Sequence, residues 1–308
     1  MTIFSKDYLI VLVEALFVTI LWSSSWVIIK FGLEEVPPIL FAGLRYSLGA
    51  FVLFIFIITK EDHRHTIKIQ SKRWWILIAA YGIFFIAITQ GGQFIALKLL
   101  PAITVSFVLN LTPFLVIFLS IILLKENPSR LELFFFLMAF IGLVFYFLPI
   151  DFSRVSVLAL LVIFAEVISN AFSSILGRAV NRTKSTPPVI VTGLSMAIGS
   201  IILLLVGIGI DGIYLIFSLS LLSVFYIVWL AVVNTAIAFT IWNRVMQKLR
   251  AMDISIINST MLPQIVILSM IFLGEMPLLK EWLGLGLIGI STLLVQFTQA
   301  RRDSNQVL

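Results

Sequence analysis

The sequence predicts an all-α integral membrane protein with ten transmembrane helices, arranged as two inverted five-helix repeats, with N and C termini cytoplasmic. Three observations carry that expectation. The 308 residues are 61% hydrophobic and only 12% charged, with a mean hydropathy of +1.14. The basic residues alternate between rich and poor connections along the chain. A set of residues also recurs at a spacing of 150.

A soluble domain is about half apolar and about a quarter charged. No single water-soluble core hides this much apolar surface beneath so few charges, which excludes a cytosolic enzyme, a secreted disulfide module and a disordered chain. The absence of cysteine removes disulfides, thiolate metal sites and a cysteine nucleophile.

A spanning helix needs about 20 mostly apolar residues at about 1.5 Å each. That length picks out Leu9–Ile29, Ile39–Thr59, Trp74–Leu97, Pro101–Leu124, Leu133–Leu148, Val155–Leu176, Pro188–Ile210, Ser220–Trp242, Ile254–Leu273 and Trp282–Gln296. The first is too long and too polar at its middle for a cleaved signal peptide. With the N-terminus in the cytoplasm, 16 Lys and Arg fall on inner connections and termini, and four (Lys30, Lys98, Arg154 and Lys280) on outer ones. The positive-inside rule then places both ends in the cytoplasm. The net charge of +6 is therefore an orientation signal beside lipid headgroups rather than a nucleic-acid footprint.

The repeat divides the chain into 1–149 and 150–308. Pro37-Pro38 recurs as Pro187-Pro188, Gly43 as Gly193, Gly49 as Gly199, Lys98-Leu99 as Lys248-Leu249, and Pro113 as Pro263. One deletion later, Glu126 recurs as Glu275, Pro128 as Pro277 and Glu132 as Glu281. Five spans per half is an odd number, so the halves enter the membrane in opposite directions. Inverted repeats of this kind recur in secondary transporters, with the substrate site near mid-membrane at their junction.

Leu21-Trp22-Ser23-Ser24-Ser25-Trp26, Lys30-Phe31-Gly32-Leu33, Pro37-Pro38 and Leu44-Arg45-Tyr46 resemble the opening of the EamA branch of the drug/metabolite transporter superfamily. The closing pattern of each half is similar too: Ala96-Leu97-Lys98, Leu111-Thr112-Pro113, Lys125-Glu126 and Gly142, then Lys248-Leu249, Leu262-Pro263, Leu273-Gly274-Glu275, Trp282 and Gly284. The resemblance covers nearly the whole chain. It implies ten helices, cytoplasmic termini, a central cavity, and export of amino acids, metabolites or toxic compounds across a bacterial-type plasma (inner) membrane. Two positions depart from the pattern. The usual Trp-Gly of the first helix is Trp22-Ser23 here, and the counterpart of Arg45 is Ser195, so any role of that arginine belongs to one half.

Three charges interrupt the spans. Each costs about 2.5–3.5 kcal/mol on insertion scales, so it faces a cavity or a partner. Glu14 and Arg45 lie roughly 8 and 9 Å from the nearer membrane surface, where snorkelling and a functional part are both open. Glu166 lies roughly 16 Å deep, near the midplane. It is either a structural acid, protonated or hydrogen-bonded, or a functional one. Ser169, Asn170 and Ser173 share its helix face. Similar polar stripes are Thr89, Gln90 and Gln93; Ser106 and Asn110; Asn234 and Asn243; and Ser255, Asn258 and Gln264. Some of these tie helices together; stripes from both halves also fit a polar central cavity.

The expectation is a transporter working by alternating access, with Glu166, Asn110, Asn170, Gln90, Gln93 and Asn258 binding polar substrate groups and Trp22 and Trp26 as apolar walls. Glu166 and Glu14 are the candidates for proton coupling, and Pro113 and Pro263 the candidate hinges. No cofactor or metal is expected. His63 and His65 share one polar loop, and no Walker, metalloprotease or Ser-His-Asp pattern occurs. The expected partners are a small-molecule substrate and the bilayer, as monomer or homodimer. Alternatives are a passive channel or facilitator, and a nucleotide-sugar or lipid-carrier transporter. A strongly anionic substrate needs several deep cations, and only Arg45 is available, which favours amino acids, amines or amphipathic cations.

Overall fold

The computed structural model describes residues 6–124, 129–147, 156–181, 186–248, 257–258 and 260–306, and all regular structure among them is helical. Helix α1 spans Lys6–Gly32, α2 Pro38–Ile58, and α3, a short polar helix, Glu61–Lys68. A continuous rod follows: α4 (Lys72–Tyr81), a π-helical segment π1 (Gly82–Gln90) and α5 (Gly91–Leu99). Then come α6 (Ala102–Leu109), α7 (Thr112–Leu124) and α8 (Arg130–Phe147). The second half holds α9 (Val157–Asn181), α10 (Pro188–Asp211), the single turn α11 (Tyr214–Phe217), and α12 (Leu221–Ala231). It continues with π2 (Val232–Ile237), α13 (Ala238–Lys248), α14 (Met261–Leu273) and α15 (Leu279–Gln306).

Among the described residues, seven helices are long and apolar enough to cross a membrane: Leu9–Gly32, Pro38–Ile58, Lys72–Leu99, Arg130–Phe147, Val157–Gly177, Pro188–Asp211 and Leu221–Trp242. Their outer surfaces are oily; Phe134, Leu137, Phe140 and Ile141 on α8 are all exposed. Such a surface fits hydrocarbon, not water. The predicted tenth span falls within α15. The predicted fourth span is two helices, broken at Asn110 and Leu111. The start of the predicted ninth, including Ser255, lies outside the described residues, and its helix α14 starts at Met261.

Pro113 and Pro263 therefore stand in the first turn of α7 and α14. The sequence suggested bends within continuous helices. Proline is favoured in a first turn instead, because its missing N–H has no partner to lose there and its fixed φ suits helix entry. Pro38 and Pro188 open α2 and α10 in the same way.

The repeat is visible in how the helices meet. Equivalent helices α2 and α10 pack antiparallel: Gly43 lies against Leu203 and Leu204, Gly207 against Leu40, and Gly193 against Leu53 and Ile57. A β-carbon at Gly43 would fall 2.7 Å from the Leu204 backbone, closer than any real side chain comes. Equivalent helices α8 and α15 also meet through glycines, with Gly142 against Gly284 and Leu287. Each of these two helices is capped by a glutamate of the repeat: Glu132 accepts from Ser129 N at 2.6 Å, and Glu281 from Leu278 N at 2.7 Å. Ser129 and Glu132 form a reciprocal capping box, since the Glu132 N–H donates back to Ser129 Oγ.

One end of the bundle is stitched by charged side chains on backbone groups. Gly274 ends α14 in the left-handed region at φ 66°, where glycine carries no β-carbon penalty. The turn carries Glu275 across to α6, where it accepts from Ala102 N at 2.7 Å and Ile103 N at 2.9 Å. An anion on free helix N–H groups is electrostatically favourable. Lys30 donates to Leu100 O at 2.6 Å, and Lys98 to Leu33 O. Glu35 accepts from Ser220 N at 2.7 Å and from the hydroxyls of Ser220 and Ser223, at the start of α12.

Candidate functional site

A cavity of about 310 Å³ lies between the two repeats. Helix α1 supplies Trp22, Ser25 and Trp26, α2 supplies Arg45 and Tyr46, and π1 supplies Phe85, Ile86, Thr89 and Gln90. Gln93 of α5 and Leu109 of α6 complete the first half's share. The second half adds Glu166 and Asn170 from α9, Phe239 from α13, Asn258, and Met261 from α14.

Seven of the eight residues proposed from sequence to bind substrate thus border one space: Trp22, Trp26, Gln90, Gln93, Glu166, Asn170 and Asn258. Asn110 stands apart from its lining. Its side-chain amide donates back to Ser106 O at 2.8 Å, and its backbone carbonyl accepts from Thr292 Oγ1 at 3.2 Å. It satisfies the helix break that Pro113 follows, as an asparagine at a helix end often does. Sequence does not separate the two arrangements, because the i, i+4 pair Ser106/Asn110 has the same spacing whether it faces a cavity or closes its own helix.

Glu166 is the chemical centre. The residue is 1% exposed, and neither carboxyl oxygen has a hydrogen-bond partner among the described residues. Gly92 of α5 faces it: a β-carbon there would stand 3.5 Å from Glu166 Cβ, an ordinary packing distance. One turn on, Asn170 donates to Thr112 Oγ1 at 3.3 Å, linking α9 to the start of α7. Ser169 and Ser173 share the stripe but are spent on helix carbonyls, Phe84 O and Asn170 O respectively.

Across the cavity Gln90 accepts from Tyr46 OH at 2.6 Å. Beside Tyr46 is Arg45, 4% exposed, whose Nε donates to Thr235 Oγ1 at 3.3 Å. Its guanidinium carbon lies 4.9 Å from the Tyr46 ring centre and 5.9 Å from that of Phe94. Sequence left Arg45 open between snorkelling and function; the fold turns it inward. Tyr46, Phe85 and Phe239 were missed, because an aromatic residue in an oily helix carries no sequence mark of which way it faces. Trp22 packs on Phe239 and Trp242, ring centres 5.4 and 5.0 Å apart.

The π-helical segments were also missed. They occupy equivalent places in the repeat, starting at Gly82 and Val232. In each, a threonine hydroxyl donates five residues back: Thr89 to Phe84 O, and Thr235 to Leu230 O, both at 2.8 Å. Such segments re-aim side chains and are frequent at functional sites. Here π1 presents Thr89 and Gln90 to the cavity, and π2 sets Thr235 against Arg45.

Other polar residues hold helices together. Gln264 accepts from Ser23 Oγ at 2.9 Å and donates to Thr19 and Thr260, which ties α14 to α1. Asn234 donates to Leu21 O and to Ser24 Oγ. Glu14 lies outside the cavity lining, in an ion pair with Arg244 of the second half at 3.3 Å.

The EamA-like transporter family matches the chain twice, over residues 9–148 and 157–297. The chain belongs to the EamA-like transporter family. The two matched stretches are the two copies that both contribute residues to the cavity. Among EamA-like relatives, the chain is 34% identical over 79 residues to the "Uncharacterized transporter YoaV" and 26% identical over 192 residues to the "Uncharacterized transporter YvbV", both of Bacillus subtilis. Those alignments cover 25% and 62% of this chain, and 27% and 60% of the two relatives' lengths. A longer match, 25% identical and covering 77% of this chain and 78% of the relative, is to the "Probable amino-acid metabolite efflux pump" of Escherichia coli. A solved crystal structure with 20% identity covers 97% of this chain and 100% of its own, at a TM-score of 0.58, so the EamA-like fold is shared with it.

Proposed function

We propose that this EamA-like transporter is a secondary exporter of small amino-group-bearing metabolites (amino acids, amines or amphipathic cations) in a bacterial-type plasma membrane. Ten spans form two inverted repeats with cytoplasmic termini, and the repeats rock about the cavity to open it to either side in turn. The observation that carries this reading is the Glu166 carboxyl: buried, without a partner among the described residues, and bordering a cavity to which both repeats contribute. An intramembrane acid without a partner is a functional site by default. A substrate ammonium, or a proton, supplies what it lacks. Gln90, Gln93, Asn170 and Asn258 offer amide groups to the substrate, and Trp22 and Trp26 a flat apolar wall able to hold a cation on its face. The efflux name carried by the Escherichia coli relative agrees with this direction and substrate class.

The test is flux in proteoliposomes, on ligands found by thermal-shift screening against amino acids, polyamines, nucleosides and organic cations. The expected result is saturable uptake with counterflow, driven by a pH gradient. Glu166→Gln abolishes the pH-driven component. Unchanged pH dependence in that variant removes Glu166 as the coupling group. Flux without saturation or counterflow would make the protein a channel.

A further inference from the structure

Glu166 is not the sole buried charge at the cavity. Arg45 borders it from the opposite repeat. Among the described residues its guanidinium has one hydrogen-bond acceptor, the neutral Thr235 hydroxyl on Nε, and no carboxylate within ion-pair distance. A glutamic acid can shed its charge by taking a proton; an arginine cannot do the converse in a protein. The Tyr46 and Phe94 rings support the cation on their faces but neutralise nothing. The two terminal nitrogens of the fork are left without acceptors among the described residues, and that edge matches a carboxylate with two parallel hydrogen bonds.

We propose that Arg45 is the specificity-determining residue of this transporter: it anchors the carboxylate of a zwitterionic substrate whose ammonium group is held by Glu166. This rests on the cavity being the substrate site. A simple amine satisfies Glu166 and leaves Arg45 unpaired; a simple carboxylate does the reverse. A molecule with both groups pairs both buried charges and brings no net charge into the membrane interior. Sites built to bond a polar group reject analogues lacking it far more strongly than apolar pockets reject a missing methylene. Trp22, Trp26 and Phe239 then leave an apolar surface for the remainder of the substrate.

Two matched sets of probes test this on the purified full chain by calorimetric titration. One is L-phenylalanine, 2-phenylethylamine and 3-phenylpropanoate. The other is L-leucine, 3-methylbutylamine and 4-methylpentanoate. In at least one set, the amino acid should bind at least about tenfold more tightly than either relative. Arg45→Gln should reduce amino-acid binding to the level of the amine while leaving amine binding within about twofold. Glu166→Gln should reduce it to the level of the carboxylate. Arg45→Lys, which keeps the charge, should retain a preference for the amino acid over the amine if the glutamine variant fails to fold. The wild-type comparison needs no variant. Equal binding of amine and amino acid, or no binding by any of the six, overturns the assignment. Saturable, Glu166-dependent counterflow of the amines alone would end the zwitterion proposal and leave the carrier standing. Flux without saturation beside an intact binding preference would end the carrier and leave Arg45 as the anchor.

Discussion

At the scale of single residues, what separates the cavity from the rest of the polar interior is whether each group already has a partner. Gln264 has three, two on α1 and one at Thr260, the residue before α14. Gln264→Ala should leave the hydroxyls of Ser23 and Thr19 without their side-chain partner, at a cost of about 1–3 kcal/mol. A lowered thermal midpoint with unchanged substrate ranking checks this; altered ranking would move Gln264 into the site. Glu35 is a second case, outside the spans. Hydrogen bonds from the Ser220 and Ser223 hydroxyls and from Ser220 N hold its carboxyl below the usual value of 4.5. Its folded pKa is depressed, so its contribution to stability is present above the unfolded pKa and lost as pH falls through the folded one. Glu35→Gln should therefore flatten the fall in melting temperature on acidification below about pH 4.5. A melting profile that stays as steep as wild type in that window would exclude the contact as a source of acid sensitivity.

At the scale of elements, the glycine contacts and the helix breaks make opposite predictions for small substitutions. Helices α2 and α10 meet backbone to backbone at Gly43 and Gly207, where a β-carbon would fall 2.7 Å from Leu204 and Leu40 backbone atoms. A backbone cannot rotate away as a side chain can, so Gly43→Ala should destabilise by about 1–3 kcal/mol, as overpacking does. Folding yield and thermal midpoint would measure it, and a neutral result would mean that the helices separate freely. Pro113→Ala should behave mildly. A proline inside a helix costs about 3 kcal/mol, so its removal would stabilise strongly. A proline in a first turn costs little, and replacing it should lose only about 0.4–1 kcal/mol through the less restricted unfolded chain. A large gain in thermal stability would contradict the break seen at Asn110.

At the scale of the whole molecule, α1 is the first described helix and α15 the last, and positive-inside counting predicts that both ends are cytoplasmic. Fusion of a fluorescent protein that matures only in the cytoplasm should give a bright cell with the tag at either end. A dark C-terminal fusion that is expressed and membrane-inserted would mean an odd number of spans and would undo the inverted repeat. Antiparallel packing of α2 against α10, and of α8 against α15, is a contact pattern that an inverted duplication permits.

Composition and spacing alone fixed the membrane character, the duplication and most of the polar residues that border the cavity. Those properties follow from local arithmetic: hydrocarbon excludes charge, a span has a set length, and a deep polar group must be paired or functional wherever it lies. The sequence marked Pro113 and Pro263 as candidate hinges without showing that helices begin beside them, and it was silent on the π-helical turns and on which amides were already spent, as with Asn110, Asn234 and Gln264. It also left Arg45 undecided between the membrane surface and the interior. Only the tertiary structure resolved these, because a helix face has no meaning until its neighbours are placed: the same asparagine is a helix-end cap, an interhelical tie or a cavity wall according to what stands a few ångströms away.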